Sequence, residues 1–448
     1  MSGRSQMGQL SETKLDLIRR LIERAPDVVV RNLLLTLAAD GPHDDSLTRV
    51  QQLLEIETGD RNARNTAFAP IAPLCASPGP FSGPWFPART LTLIWKTLKQ
   101  EAPRDVEAAR SQLDVWRSNS PDALDLLCAK TARGLRTTGG PFEAVAMAAD
   151  EGSGRDVLAG CLEIAPLTRY ALGQLPDWLG RMDGEKSAKL RLTYRDVSTV
   201  ADEAGPRFFE MLTAHLTEPW LILRVIAAVM DHPNETYVAN SELGGFGDRV
   251  LADVENRLTE VAAFRATSGR QAAHAAAQTL HLATVEIAEI EQSFHLSPDG
   301  VWGRRVAKQH RSLAESIETL LRTVDRAVAG ALPLHTVRLG PRTLKGVPQL
   351  AHDPDPELVE RAATLLSFAG ELRSSAAAGG FAASRAKVLE SVENRIDSYV
   401  EDVLADLHAA DGVDTDRARA FLEVAAELCG LARDERAAQI VRRRAAAA

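Results

Sequence analysis

The chain has 448 residues, 45% hydrophobic, 25% charged and only 5% aromatic, and it carries a net charge of −9. The length suggests two to three domains and leaves ample material for buried cores. The acidic balance argues against a general binder of nucleic acid or anionic membrane, since both need clustered positive charge.

With so few rings, the core must be built mostly of Leu, Val, Ile and Ala. Ala is plentiful and only 4 residues are Tyr. Both facts favour helix over sheet. Residues 1–58 read as a helical block. Ser11 stands before "ETKLDLIRRLIER" as an N-cap, and Leu15, Ile18, Leu21 and Ile22 then share a face. Pro26 opens a second helix. That helix is apolar on nearly every side, from Val28 to Leu37, and is expected to be central. A third runs from Asp45 to Glu57.

Residues 59–87 form an irregular stretch rich in proline, ending in "SPGPFSGPWFP". Four prolines and two glycines between Ser77 and Pro87 forbid a helix. Phe81, Trp85 and Phe86 give the segment something to hold on to. A structureless loop this long is uncommon in a compact domain, so it is either ordered by packing or functional.

Residues 88–265 read as a middle region of shorter helices, punctuated by Gly and Pro. Pro103 and Pro121 each sit where a helix can begin, and no fixed repeat period is visible. Gly244-Gly245-Phe246-Gly247 reads as a helix-breaking turn. It lacks the lysine and the preceding strand of a phosphate-binding loop.

Residues 266–445 change character. Two long helices, 270–295 and 304–329, carry apolar residues at alternating three- and four-residue steps. That spacing and a short connection predict an antiparallel hairpin of coiled-coil type. A loop at 331–356 leads to a helix from Glu357 to Ser375, a second from Ser384 to His408 and a last one from Thr415 to Arg443. "HTVRL" alternates like a strand, but a lone strand without a partner is not stable. The expected fold is therefore all-α, an elongated multi-helix protein with long antiparallel helical hairpins in its C-terminal half.

No catalytic signature stands out. Cys75, Cys128, Cys161 and Cys429 are widely spaced, without CxxC or a histidine at zinc spacing, and read as buried reduced thiols. No Glu-x-x-His falls at His274, His281 or His310, so no metal or other cofactor is expected. "DHPNE" (Asp231 to Glu235) has the oxygens to coordinate a cation but reads first as a helix-terminating turn, and "HDPDPE" (His352 to Glu357) reads as a loop leading into an N-cap. The N-terminus has no apolar run of a signal peptide. The most apolar stretches, Val28 to Ala39 and Trp220 to Met230, fall well short of about 20 residues, and each holds an arginine. A cytoplasmic, non-membrane protein is expected.

Two sets of residues remain as candidate sites. Phe81, Trp85 and Phe86 either strap the protein's own core or hook a protein partner. His335, Arg338, Arg342 and Lys345 lie in a stretch without acids and are candidates for contact with an anion or an acidic partner; nucleic acid is unlikely there given the overall charge. The leading expectation is a non-catalytic scaffold or partner-binding protein that self-associates into a homo-oligomer through its long helices. The alternative is an enzyme or small-ligand binder with a site between the long helices, around His274, His281 and His310.

Overall fold

The computed structural model of the chain describes residues 11–39, 45–79, 81, 83–114, 122–230, 233–338, 344–409 and 414–448. The fold is all-α: among the described residues the elements are helices apart from one two-stranded hairpin. The chain divides into two compact units, Met1–Asp231 and His232–Ala448. The boundary falls inside the region 88–265 and not at its end, because the helix at Gly244–Ala263 packs on helices that follow it.

In the first unit, Ser11 caps α1 (Glu12–Arg24), its hydroxyl accepting the Lys14 N–H at 3.4 Å. α2 (Asp27–Ala39) departs from expectation: it buries only Val30, while Val28 and Leu35 are 66% and 62% exposed. It packs against α3 (Asp45–Ala67) on one side, and its outer face is exposed among the described residues. α3 itself runs through Gly59 to Ala67, so the irregular stretch starts later than the glycine suggests. Buried Ala63 and Ala67 continue its inner face. Arg61, only 7% exposed, ties it down by donating to the carbonyls of Ile22 and Ala25, each at 2.8 Å, and by pairing with Asp27 and Glu57.

Shorter helices follow, broken by Gly and Pro as the composition implies. They are α4 (Arg89–Glu101), α5 (Pro103–Asp114), α6 (Asp122–Leu135), α7 (Glu143–Asp150), α8 (Arg155–Glu163) and α9 (Ala165–Leu179). α10 (Gly184–Ser198), α11 (Ala204–Ala214) and α12 (Ile222–Val229) complete the unit. Pro103 begins α5; Pro121 lies outside the described residues. Trp178, Phe208 and Phe209 fill the core.

In the second unit, Asn234 caps the short α13 (Glu235–Ala239), accepting the Thr236 N–H at 2.8 Å. Gly244 to Gly247 form the first turn of α14 (Gly244–Ala263) and do not break a helix. Gly247 is required by close packing, since a Cβ there would overlap the Trp302 ring. α15 (Arg270–Ser293) and α16 (Val301–Ala331) are the two long helices, but they do not form a paired coil. α15 lies against α14 and α17 (Pro356–Glu371), and α16 against α14, α17 and α18 (Ala382–Ala409). The reason is stripe width. α15 buries Ala273, Ala277, Leu280 and Ile287 but also Thr284, Glu286 and Glu289, a face too broad for a two-helix seam. The last predicted helix is two, α19 (Thr415–Ala432) and α20 (Glu435–Ala447), folded on each other. Asp434 caps the second, taking the Ala437 N–H at 2.8 Å.

"HTVRL" does find a partner. β1 (Leu334–Arg338) pairs antiparallel with β2 (Leu344–Pro348), with Leu334 opposite Pro348 and Arg338 opposite Leu344. Glycine and proline in β2 are poor strand formers and hide it from a propensity reading. No helix among the described residues is long and apolar enough to cross a membrane.

Candidate functional site

The proline-rich segment is a strap within the first unit. It leaves α3 through a 3₁₀ turn, Ala69–Cys75, that buries Ile71, Leu74 and Cys75. The Phe86 N–H then donates to the Leu74 carbonyl at 2.8 Å. The Trp85 N–H donates to Ser153 Oγ at 2.9 Å, and the Ser153 N–H returns a bond to the Trp85 carbonyl at 3.0 Å. The backbone groups of Trp85 and Phe86 are thus satisfied by parts of the fold distant in sequence. Gly152 lets the strap approach, because a Cβ there would overlap the Trp85 carbonyl oxygen.

The three aromatics separate. Phe86 is fully buried and belongs to the core, so it presents no surface to a partner. Phe81 and Trp85 are half-buried. The Phe81 ring lies 6.5 Å from that of Trp220, tilted by 55°. With Pro73, Pro78, Pro84 and Pro219 these two rings wall an open cleft of about 220 Å³, with Glu210 and Thr213 of α11 along one side. Leu216 joins the cleft to a wider depression of about 550 Å³ lined by Leu172, Leu175, Leu179 and His215. Burial holds the pKa of His215 below the ordinary histidine value, against the opposing pull of carbonyls of the 3₁₀ turn, so it is neutral at pH 7. The result is an apolar surface on rigid elements, with the strap at its centre.

Gly152→Val tests how firmly the strap is held. The side chain displaces the Trp85 carbonyl, so stability is expected to fall by about 1–3 kcal/mol, as for overpacking. Limited proteolysis is expected to cleave within 77–87 faster than in the native chain. Unchanged cleavage would show that the Ser153 contacts do not hold the segment.

The other candidates are dispersed. His274 Nδ1 lies 2.6 Å from Glu371 and its Nε2 2.7 Å from the Gln278 amide. His281 meets Ser375 at 3.3 Å, and His310 meets Glu291 at 3.0 Å. Each histidine has its own partner, and among the described residues no group of three or more His, Cys, Asp or Glu could hold a metal ion. The basic set divides over the β-hairpin. His335 and Lys345 project from one face and Arg338 from the other, by the register of the pairing. Lys345 is already paired with Asp402 at 3.0 Å. Arg342 lies outside the described residues. Burial pushes the thiols of Cys75, Cys128 and Cys161 up to about 12, so they stay protonated and unreactive at neutral pH.

Two buried acids of the second unit were not distinguished by sequence. Glu235, 2% exposed, accepts the N–H groups of Ser297 at 2.8 Å, Trp302 at 2.6 Å and Gly303 at 3.3 Å. Glu286, with no exposure, lies 3.0 Å from Arg257. For Glu286 the signal is an acid at an inward position of a helix, which also describes many solvated residues; Glu235 closes the "DHPNE" stretch, and nothing local points to Ser297 or Trp302 as its partners.

No family model matches the chain, and comparison with curated proteins and with solved structures gives no match.

Proposed function

We propose that this protein is a non-catalytic binding protein, a scaffold whose recognition surface in the first unit is the outer edge of the strap. The partner is a protein, anchored by one or two apolar side chains inserted between Phe81, Trp85 and the surrounding prolines. The observation that carries the reading is the pair of half-buried rings on a segment pinned at Leu74 and Ser153. Trp and other large rigid side chains in partly enclosed pockets dominate binding energy at protein interfaces. A loop already ordered by its own core loses little further entropy on binding.

The lining supports an apolar side-chain anchor: the cleft at Trp85, about 220 Å³, is walled by Phe81, Trp85 and four prolines. The histidine-based alternative has no such support, since His274, His281 and His310 are each engaged with a different neighbour.

The test is affinity capture from a lysate of the source cells, with the native chain and the Trp85→Ala variant as parallel baits at matched thermal stability. The expected result is a partner retained by the native chain and depleted at least about tenfold by the variant, the factor set by about 1.4 kcal/mol. Equal capture by both baits would remove the strap from recognition.

A further inference from the structure

Among the described residues, a second apolar surface of the first unit is exposed. Of the 18 large apolar side chains most exposed among the described residues, eight lie on α1, α2 and α3. α2 is the extreme case. Its inner side packs Val30, Leu34 and Leu37 on the small core formed with Ile22 and Leu54. On its outer side Val28, Asn32, Leu35 and Ala39 follow at steps of four, three and four, and all four are exposed. That is the spacing of a helix–helix seam, with one amide in an otherwise apolar stripe.

We propose that this face binds the same face of a second copy, with the two α2 helices parallel about a two-fold axis. Asn32 selects the occupant. Its side-chain amide has no hydrogen-bond partner among the described residues. Across a two-fold axis each Asn32 meets its own copy, and an amide both donates and accepts, so the pair satisfies itself. Against a purely apolar groove or a lipid surface the same group would be buried unpaired, at a cost. A single polar residue of this kind fixes register and copy number in helix pairs.

Charge agrees with a second copy. Residues 11–39 hold five cations (Lys14, Arg19, Arg20, Arg24, Arg31) and four anions (Glu12, Asp16, Glu23, Asp27), while the whole chain is at −9. A nearly neutral face lets two acidic chains meet without strong repulsion, and it offers nothing to steer an acidic or basic partner. The area sets the strength. α2 is 13 residues long, about 20 Å, so its face falls short of the about 800 Å² per partner of a standard stable interface. The association is therefore weak, in the micromolar range, and concentration-dependent.

Sedimentation of the full chain from low to high micromolar concentration reads this directly. The native chain is expected to pass from one to two copies, and Leu35→Glu, placed on an exposed position, to remain a single copy with an unchanged melting temperature. Asn32→Cys is expected to give a covalent dimer under mild oxidation, since the four native cysteines are buried and a parallel pairing brings the new thiols together. A native chain that stays single throughout would overturn the proposal. So would a dimer indifferent to Leu35→Glu, an Asn32→Cys chain that does not cross-link, or flotation of the native chain with neutral or anionic vesicles that Leu35→Glu abolishes. None of these outcomes depends on the strap.

Discussion

Glu235→Ala is expected to destabilise the second unit by about 3–5 kcal/mol, because three buried backbone N–H groups lose a charged acceptor at about 1–3 kcal/mol each. The carboxylate is 2% exposed and takes three backbone N–H groups, two of them from the first turn of α16. Those donors have no intrahelical acceptor, because the first four N–H groups of any helix are left over. The negative charge also lies at the positive end of a 31-residue helix. The packing there is close: a Cβ at Gly303 would overlap the Ser297 carbonyl, and one at Gly300 would overlap the Glu235 carboxylate itself. Glu235→Gln keeps one carbonyl acceptor in the same shape and is expected to lose roughly half as much. Urea unfolding followed by hydrogen exchange over residues 235–306 checks this, since two compact units need not unfold together. Equal stability of Glu235→Ala and the native chain would show that Glu235 does not hold the start of α16.

Alkaline pH is expected to weaken the second unit through Glu286. Burial raises its carboxyl to about 8, against the pull of Arg257 at 3.0 Å. Asp253, which also grips Arg257 at 2.7 Å, adds to the rise. Between the ordinary value of 4.5 and about 8 the folded chain keeps a proton that the unfolded chain has released. The stability due to this group is thus complete below about pH 4.5, declines as the pH rises, and is lost above about pH 8. Glu286→Gln is neutral at every pH. It is expected to match the native chain near pH 5, to lack this slope, and to melt several degrees higher at pH 9. A native profile that stays parallel to that of the glutamine variant would mean that Glu286 is ionised throughout.

Local rules were legible and long-range partnerships were not. Ser11 was readable as a cap, and its hydroxyl accepts the Lys14 N–H expected of it. Pro103 opens its helix for the same local reason. The apolar sequence of α2 says that something must cover it, but not that its own fold covers only Val30. The aromatic density at 77–87 pointed to anchoring. Which ring is buried depends on Leu74 and on Ser153, which lies 68 residues beyond Trp85, and no local pattern carries that. His274 and His281 share a helix, yet their partners Glu371 and Ser375 come from the far end of α17 and just beyond it. Near the C-terminus Arg442 pairs with Glu423, and Arg444 with Glu401, binding α20 to the helices before it, again across a distance that no local pattern shows.

The strap joins these levels, since one segment supplies a core ring at Phe86 and two open rings at Phe81 and Trp85. The most direct measurement is photo-cross-linking in source cells, with a benzophenone side chain replacing Phe81 in the full-length chain. The account predicts a discrete covalent adduct with another polypeptide, lost when Trp85→Ala is added. Reaction only within the chain, or adducts no different from those of a probe at exposed Leu192, would contradict it.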